Sequence, residues 1–508
     1  MAKLILLLIL TLFIMLSGCG GDNVAVPPHE PLTLQDVLSI ARERREGIEK
    51  PTVDSISHLL QERGGTVVRP ERFVPPGRAP LSRPAQRFID DIELLSNFMM
   101  RTYAAYEYLG GDEVFLPVFA QLVEALESQE YWYVEDFVAL VSDSFGEVIN
   151  DNHFNFGGRI VGGCFEQVHM FGNDYDFFIP AYFDDVFDKT ENGFRNRRTG
   201  AYVRELHFDG EPLCFETEDI FRLKMCNNGM FYYSIVIVRP RSEENTFPVT
   251  IVYDNRRSDN ITATSLFVDF MDFENVSLQY IHEVPVITIR IMGFLHDPVF
   301  GPYSTKFLNL ADDVRDEPVV IVDVRSNMGG LPLLPMMWLY NFLGEVVPTN
   351  YIAITHMNTD MEHITHQTWI YSAFTCTFSA AERIGDYHVL SFATPRRIVP
   401  NEQLIILLTD RLSASASESF TDALFNVENT LIIGQNTMGA LLTDGMSIPI
   451  FLPNSGATFA FGRSLNVLPY GHAPEGIGIA PDIWVNDDAL EATLAMLGAS
   501  SFGGGNYD

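Results

Sequence analysis

Four short apolar, β-branched runs punctuate the C-terminal half of the chain: VPVITIRI from Val284, EPVVIVDV from Glu317, QLIILLT from Gln403 and TLIIGQ from Thr430. Each has the length of a strand and lacks the alternation of a half-exposed one, so each predicts a strand buried on both faces. Helical or loop stretches separate them. That order predicts an α/β layered domain with a mainly parallel sheet. Upstream, Val134, Phe137, Val138, Val141, Phe145 and Val148 recur at spacings of three and four, an apolar stripe that predicts helix. Between about residues 160 and 260 the pattern changes to aromatic, strand-like runs such as FFIPAYF, YVRELHFDGEP and FYYSIVIV, broken by turn residues. A mostly β insert is expected there. Five prolines fall between Pro70 and Pro84, which favours extended, semi-rigid chain. A modest helical patch lies near Leu34 to Arg45, and the glycine-rich end SFGGGNYD is expected to be disordered. The expected organisation is therefore a leader over 1–18, a flexible proline-rich spacer over 19–86 and a helical region over 87–158. The β-rich insert follows over 159–265, then an α/β domain over 266–490 and a disordered tail over 491–508.

Composition narrows the partners. Of 508 residues, 47% are hydrophobic and 20% charged, enough apolar material for a substantial core. The formal charge of −34 argues against nucleic acid, which needs clustered Lys and Arg, and against electrostatic attachment to anionic lipid. The N-terminus reads MAKLILLLILTLFIMLSGCGGDN. Lys3, a short apolar run from Leu4 to Leu16 and small residues before Cys19 have the layout of a secretory signal. The LSGC sequence resembles a bacterial lipobox, which implies lipidation of Cys19 and a protein tethered to the membrane outside the cytoplasm. Cys164, Cys214, Cys226 and Cys376 are too widely spaced for a zinc knuckle. Their oxidation state stays open, with Cys214 and Cys226 the nearest pair in sequence.

Four further runs are candidates for chemistry. RLSASASESF, Arg411 to Phe420, holds Ser413, Ser415, Ser417 and Ser419. It follows a strand candidate, and Phe420, Ala423, Leu424 and Val427 after it lie on one helical face. The serines thus occupy a strand-to-helix turn, beside the free N–H groups of the helix start. Extending the helix backwards at about 100° per residue puts Ala416 near the core face and turns Ser415 well away from it. Ser415 is the serine most free to meet a substrate, while Ser413 or Ser417 serves as a cap. VVIVDVRSNMGG ends a buried strand with Gly329 and Gly330, whose backbone N–H groups can approach a ligand closely. FGEVINDNHFNFGG places His153 just after the helical stripe, and a serine hydroxyl needs such a base. HAPEGIGIAPDIWV places Glu475 in a glycine-rich turn, where a carboxylate can orient a histidine. Taken singly, each run also fits a plain loop or a tight turn.

Together the runs resemble the C-terminal-processing (tail-specific) serine protease family over about residues 88–485. VIVDVRSNMGG is similar to its D-x-R-x-N-x-G-G segment and SASASESF to its nucleophile turn S-A-S-A-S-E. The resemblance implies a crotonase/ClpP-like layered fold, with a PDZ-like domain where the β insert lies. It implies Ser415 as nucleophile, with the Ala416 N–H and that of Gly329 or Gly330 as oxyanion donors. The bacterial processing branch carries a catalytic lysine in T-F-G-K-G; here the matching run is TMGAL, and Ala440 stands in the lysine's place. The tricorn-like and chlamydial-secreted-protease branches use a histidine and a glutamate instead, and INDNHFNF and PEGIGIAPDI are similar to those two motifs. In that likeness His153 is the base and Glu475 its orienting carboxylate. Asn152 stands where the tricorn branch has a serine linking the two; either its amide substitutes, or Glu475 bridges through water. The implied activity is a serine endopeptidase acting on polypeptides at the cell envelope or outside the cell, needing no metal or organic cofactor. Two alternatives share the architecture: a non-catalytic ligand carrier, which has no reason to keep Ser415, His153 and Glu475 together, and an acyl-CoA enzyme, which needs no serine nucleophile.

Overall fold

The apolar runs of the C-terminal half form the centre of a ten-stranded sheet in the computed structural model. The structure describes residues 31–61, 81–157, 159–160, 175–180, 186–214, 219–240, 242, 244–266, 274–293, 295, 297–356, 380–385, 387–391, 398–444, 450–462, 464–469 and 471–499. The LSGC sequence with Cys19, and Cys164 and Cys376, lie outside the described residues. The sheet's strands are β1 (Phe187–Thr190), β2 (Gly193–Asn196), β3 (Phe221–Met225), β4 (Phe231–Ile235), β5 (Val276–Ile281), β6 (Val284–Ile289), β7 (Val319–Asp323), β8 (Leu404–Thr409), β9 (Thr430–Gly434) and β10 (Ile483–Trp484). Their spatial order is β5-β6-β7-β8-β9-β10-β3-β4-β1-β2. Neighbours from β6 to β3 are parallel, and the pairs at both ends are antiparallel.

Every side chain of β7, β8 and β9 is buried, which is why their sequences do not alternate with polar residues. The pleat sends Val320 and Val322 to one face and Val319 and Ile321 to the other. The first face packs on three helices: α5 (Gly301–Asp313), α6 (Leu333–Leu343) and α7 (Ala416–Leu424), through Phe307, Trp338 and Phe420. The second face packs on α1 (Leu34–Glu46), α8 (Ala489–Ala499) and strands of the insert. Helices α2 (Ala85–Thr102), α3 (Gly111–Glu127) and α4 (Val134–Gly146) build a separate aromatic core with Phe154, Phe156, Phe459 and Phe461. The molecule is thus mixed α/β with several sheets, as the sequence pattern predicts.

Three expectations about segments need correction. The spacer is not free chain over its described part. A capping box at Thr33 starts α1, whose Leu34, Val37 and Ala41 are buried against the main sheet. Arg45 bonds Thr430 and Asp482, and after α1 Ile56 and Leu59 join the aromatic core. The tail is not disordered from 491: α8 runs to 499, with Ala492 and Met496 buried in the main core. The β insert is not a separate unit either, because β1 to β4 extend the main sheet. The remaining insert strands, Tyr175–Pro180, Val203–Phe208, Glu211–Leu213, Ile237–Pro240, Thr246–Tyr253 and Ser258–Ser265, form a six-stranded sheet of their own. No disulfide joins Cys214 to Cys226. Among the described residues, no helix is long and apolar enough to cross a membrane.

A docked α1 makes a direct prediction. Leu34→Ala should cost about 2–5 kcal/mol of stability, the usual range for a buried leucine. A urea-denaturation midpoint equal to that of the wild type would return the segment to the status of a loose spacer.

Candidate active site

The carboxyl ends of three adjacent parallel strands deliver three turns to one place. After β7 comes the glycine turn 324–330, after β8 the serine turn 410–415, and after β9 the turn 435–442. Open α/β sheets place their sites at this edge.

Of the four serines, three are buried and engaged. Ser413 Oγ donates to the Val324 carbonyl at 2.8 Å, Ser417 Oγ to the Asn327 carbonyl at 2.9 Å, and Ser419 Oγ lies 3.3 Å from the Tyr351 hydroxyl. Ser415 alone is half-buried. It caps α7 with φ 51° and ψ −109°, a conformation that L-residues rarely adopt.

That conformation is fixed from outside. The Ser415 N–H donates to Glu418 Oε2 at 2.9 Å, and the same carboxylate accepts from Ala440 N at 2.7 Å, Gly439 N at 2.9 Å and Thr437 Oγ1 at 2.7 Å. Glu418 is wholly buried, and burial pushes its carboxyl above the usual range against those hydrogen bonds. Reading for nucleophile and base passes over Glu418, although S-x-x-E is a capping-box signature that points to it.

The glycine turn lies directly against the serine turn. A Cβ on Gly329 would come within 2.7 Å of Ser415 Cβ and of the Ala414 carbonyl, so only glycine fits. The Gly329 N–H donates to Asn327 Oδ1 at 2.9 Å, which engages the first of the two candidate donors. Asn327 also accepts from Ala414 N and holds the Ile289 carbonyl, so one side chain and its backbone join β6, the glycine turn and the serine turn. Beneath it Asp323 binds Arg325 and Arg290; burial alone would raise its carboxyl, but the two guanidinium groups hold it below the usual range.

His153 arrives from the aromatic core. The strand after it, Asn155–Phe156, pairs with Thr458–Ala460. Asp151, buried beside it, accepts from His153 N at 3.0 Å, Tyr103 OH at 2.9 Å and Thr443 Oγ1 at 2.9 Å. Glu475 does not bond the imidazole. Its Oε1 accepts the Asn152 N–H at 2.8 Å, and its Oε2 accepts Leu441 N at 3.2 Å and Leu442 N at 3.0 Å. The Asn152 amide donates to the Gly439 carbonyl at 2.6 Å. Glu475 therefore grips the histidine loop through the backbone of Asn152, and Asp151 is the carboxylate that feels His153, whose pull opposes the effect of burial on it. The imidazole Nδ1 is buried and has no hydrogen-bond partner among the described residues. Asp151 is a second residue that motif reading leaves without a role.

Residues 288–485 match the model of peptidase family S41. The match supports a serine-type peptidase of that family over this stretch, which holds the glycine turn, the serine turn and Glu475. Among solved structures it is similar to mature CPAF, at 14% identity and a TM-score of 0.40, with 82% of this chain and 96% of that one covered. It is also similar to the tricorn protease, at 14% identity and a TM-score of 0.35, covering 81% of this chain and 37% of that one. A lipoprotein from Streptococcus agalactiae is 13% identical with a TM-score of 0.38, covering 84% and 99%. No curated protein matches the sequence.

The buried acids make stability depend on pH. Burial raises Glu475 well above its ordinary 4.5, with the Asp151 charge adding to it, and burial raises Asp151 above 3.8 against the pull of His153. The folded chain thus holds protons that the unfolded chain has released. This contribution is full below the ordinary values and is lost as pH rises through the raised ones. Asp151→Asn removes one such site and keeps an acceptor for the His153 N–H. Urea midpoints followed upward from about pH 4 should fall less steeply in the variant. Parallel profiles would exclude a retained proton on Asp151.

Proposed function

We propose that Ser415 is the nucleophile of a serine endopeptidase and His153 its base. The observation that carries this reading is the state of the serine turn: three serines are tied down, and the half-buried one is held in a strained conformation at a helix start. Ser415 Oγ attacks the peptide carbonyl while His153 takes its proton. The tetrahedral oxyanion is received by the Ala416 N–H, left over at the first turn of α7, and by the Gly330 N–H; Gly329 is engaged by Asn327. Collapse expels the amine, which takes the proton from His153, and water then cleaves the acyl-enzyme by the same route. Glu475 acts as orienting carboxylate by holding the Asn152–His153 loop in place, and Asp151 supports the imidazolium charge.

The finer architecture belongs to the same reading. The main sheet with its helices serves as the crotonase/ClpP-like catalytic layer. The six-stranded sheet serves as the PDZ-like part, and an edge strand such as Ile237–Pro240 receives substrate chain by strand addition. The LSGC sequence supports export and a lipid anchor at Cys19, with the enzyme facing the cell exterior or periplasm and meeting its polypeptide substrates there.

Casein hydrolysis by the purified chain from residue 20 onward tests the assignment. Ser415→Ala and His153→Ala should each lower kcat/KM on the order of 10^4-fold or more. Activity surviving in Ser415→Ala would move the nucleophile elsewhere.

A further inference from the structure

Away from the serine turn, the described residues enclose a pocket of about 670 Å³. Three distant parts of the chain wall it: the end of α1, the strands around 219–238, and the loop 471–480 that also carries Glu475. Its apolar surface comes from Ile48, Val236, Val238 and Ile477.

Its two arginines face two acids, Asp219 and Glu49, which are exposed. Arg222 has an 11% exposed side chain, donates to Asn436 Oδ1 at 2.6 Å and to the Asp219 carbonyl at 3.0 Å, and lies over the Trp484 ring. The Asp219 carboxylate is 3.5 Å away but 68% exposed, at the rim, as is Glu49. Arg44 enters from α1, held by the neutral carbonyls of Pro481 at 2.6 Å and Ala480 at 3.0 Å, and lies 3.8 Å from Asp482 Oδ1, the other oxygen of that carboxylate being bonded by Arg45. Burial presses Arg222 below the usual arginine range; Asp219 opposes this, and the Arg44 charge adds to the fall. The carboxylates near these two guanidinium groups are exposed or distant, which leaves both groups able to take an anion from the pocket.

The pocket also touches the catalytic helix. His472 lines it, and its Nε2 is 2.7 Å from Asp422 Oδ1. Asp422 is fully buried in α7, whose first residue follows Ser415, and it also accepts the Asn350 N–H at 2.7 Å.

We propose that this pocket binds a small amphiphilic anion, with its carboxylate or phosphate head between Arg44 and Arg222 and its apolar part on Ile48, Val236 and Val238, and that occupancy acts on α7 through His472 and Asp422. The binding claim is independent of Ser415; only its effect on cleavage rests on the proposed protease mechanism.

Octanoate, octyl phosphate and neutral octanol are the probes, titrated into the whole chain from residue 20 by thermal unfolding and calorimetry. At least one anion should raise Tm saturably, by about 2 °C or more, while octanol should not. Arg44→Gln and Arg222→Gln should each weaken that binding about tenfold or more. Arg44 is largely supported by carbonyls at the surface, so its variant keeps the test valid if Arg222→Gln misfolds. A response to octanoate alone points to a fatty acid, and one to octyl phosphate to a phospholipid fragment. No shift with either anion, an equal shift with octanol, or full binding in Arg44→Gln would overturn the site. Binding that leaves the casein cleavage rate of active wild type unchanged would overturn the coupling to α7.

Discussion

The site depends on one buried carboxylate. Glu418 lies beneath the serine turn and gathers four donors: the N–H groups of Ser415, Gly439 and Ala440 and the Thr437 hydroxyl. A buried carboxyl without such partners costs several kcal/mol, and each partner stripped of it would itself be left unpaired. The hydrogen bonds therefore lock both sides. They hold Ser415 at positive φ, which offsets the local strain, and they set the turn after β9 against the start of α7. Ala440, standing where the related branch has a lysine, contributes its backbone N–H to this cluster instead of a side chain.

A second cluster joins the two halves of the site. Ser415 grows out of the main sheet, whereas His153 grows out of the aromatic core around α2, α3 and α4. The two cores are fastened to each other through this cluster. Glu475 binds the Asn152 N–H, the Asn152 amide binds the Gly439 carbonyl, and Asp151 binds Thr443. Gly439 belongs to both clusters, since its N–H goes to Glu418 and its carbonyl to Asn152. The turn 437–443 is thus the shared piece through which the placement of one half is transmitted to the other.

Much of this is legible in the sequence because the central strands are buried on both faces, and such strands announce themselves as unbroken apolar runs. VVIVDV and LIILLT needed no alternation to be found. Helical extension from Phe420, Ala423 and Leu424 singles out Ser415 among the four serines, although its φ of 51° places it outside helical geometry. Long-range closure is not legible. Leu34, Val37 and Ala41 form a modest stripe that does not say where it docks, and a proline-rich neighbour made it read as spacer. Strands β1 to β4 carry aromatic patterns that suit a separate β unit as well as an extension of the main sheet. The Gly329 N–H is engaged by a side chain two residues earlier, a local closure that motif matching does not see. Asp151 and Glu418 take their partners from backbone groups and from hydroxyls far away in sequence, pairings that motif logic does not look for.

The most direct test of this account is the site of covalent labelling by a fluorophosphonate, which reacts with an activated serine hydroxyl. Peptide mass analysis of the labelled wild-type chain should place the adduct on Ser415, with none on Ser413, Ser417 or Ser419, and labelling should vanish in His153→Ala. An adduct on another serine, or undiminished labelling of Ser415 without His153, would contradict the central claim.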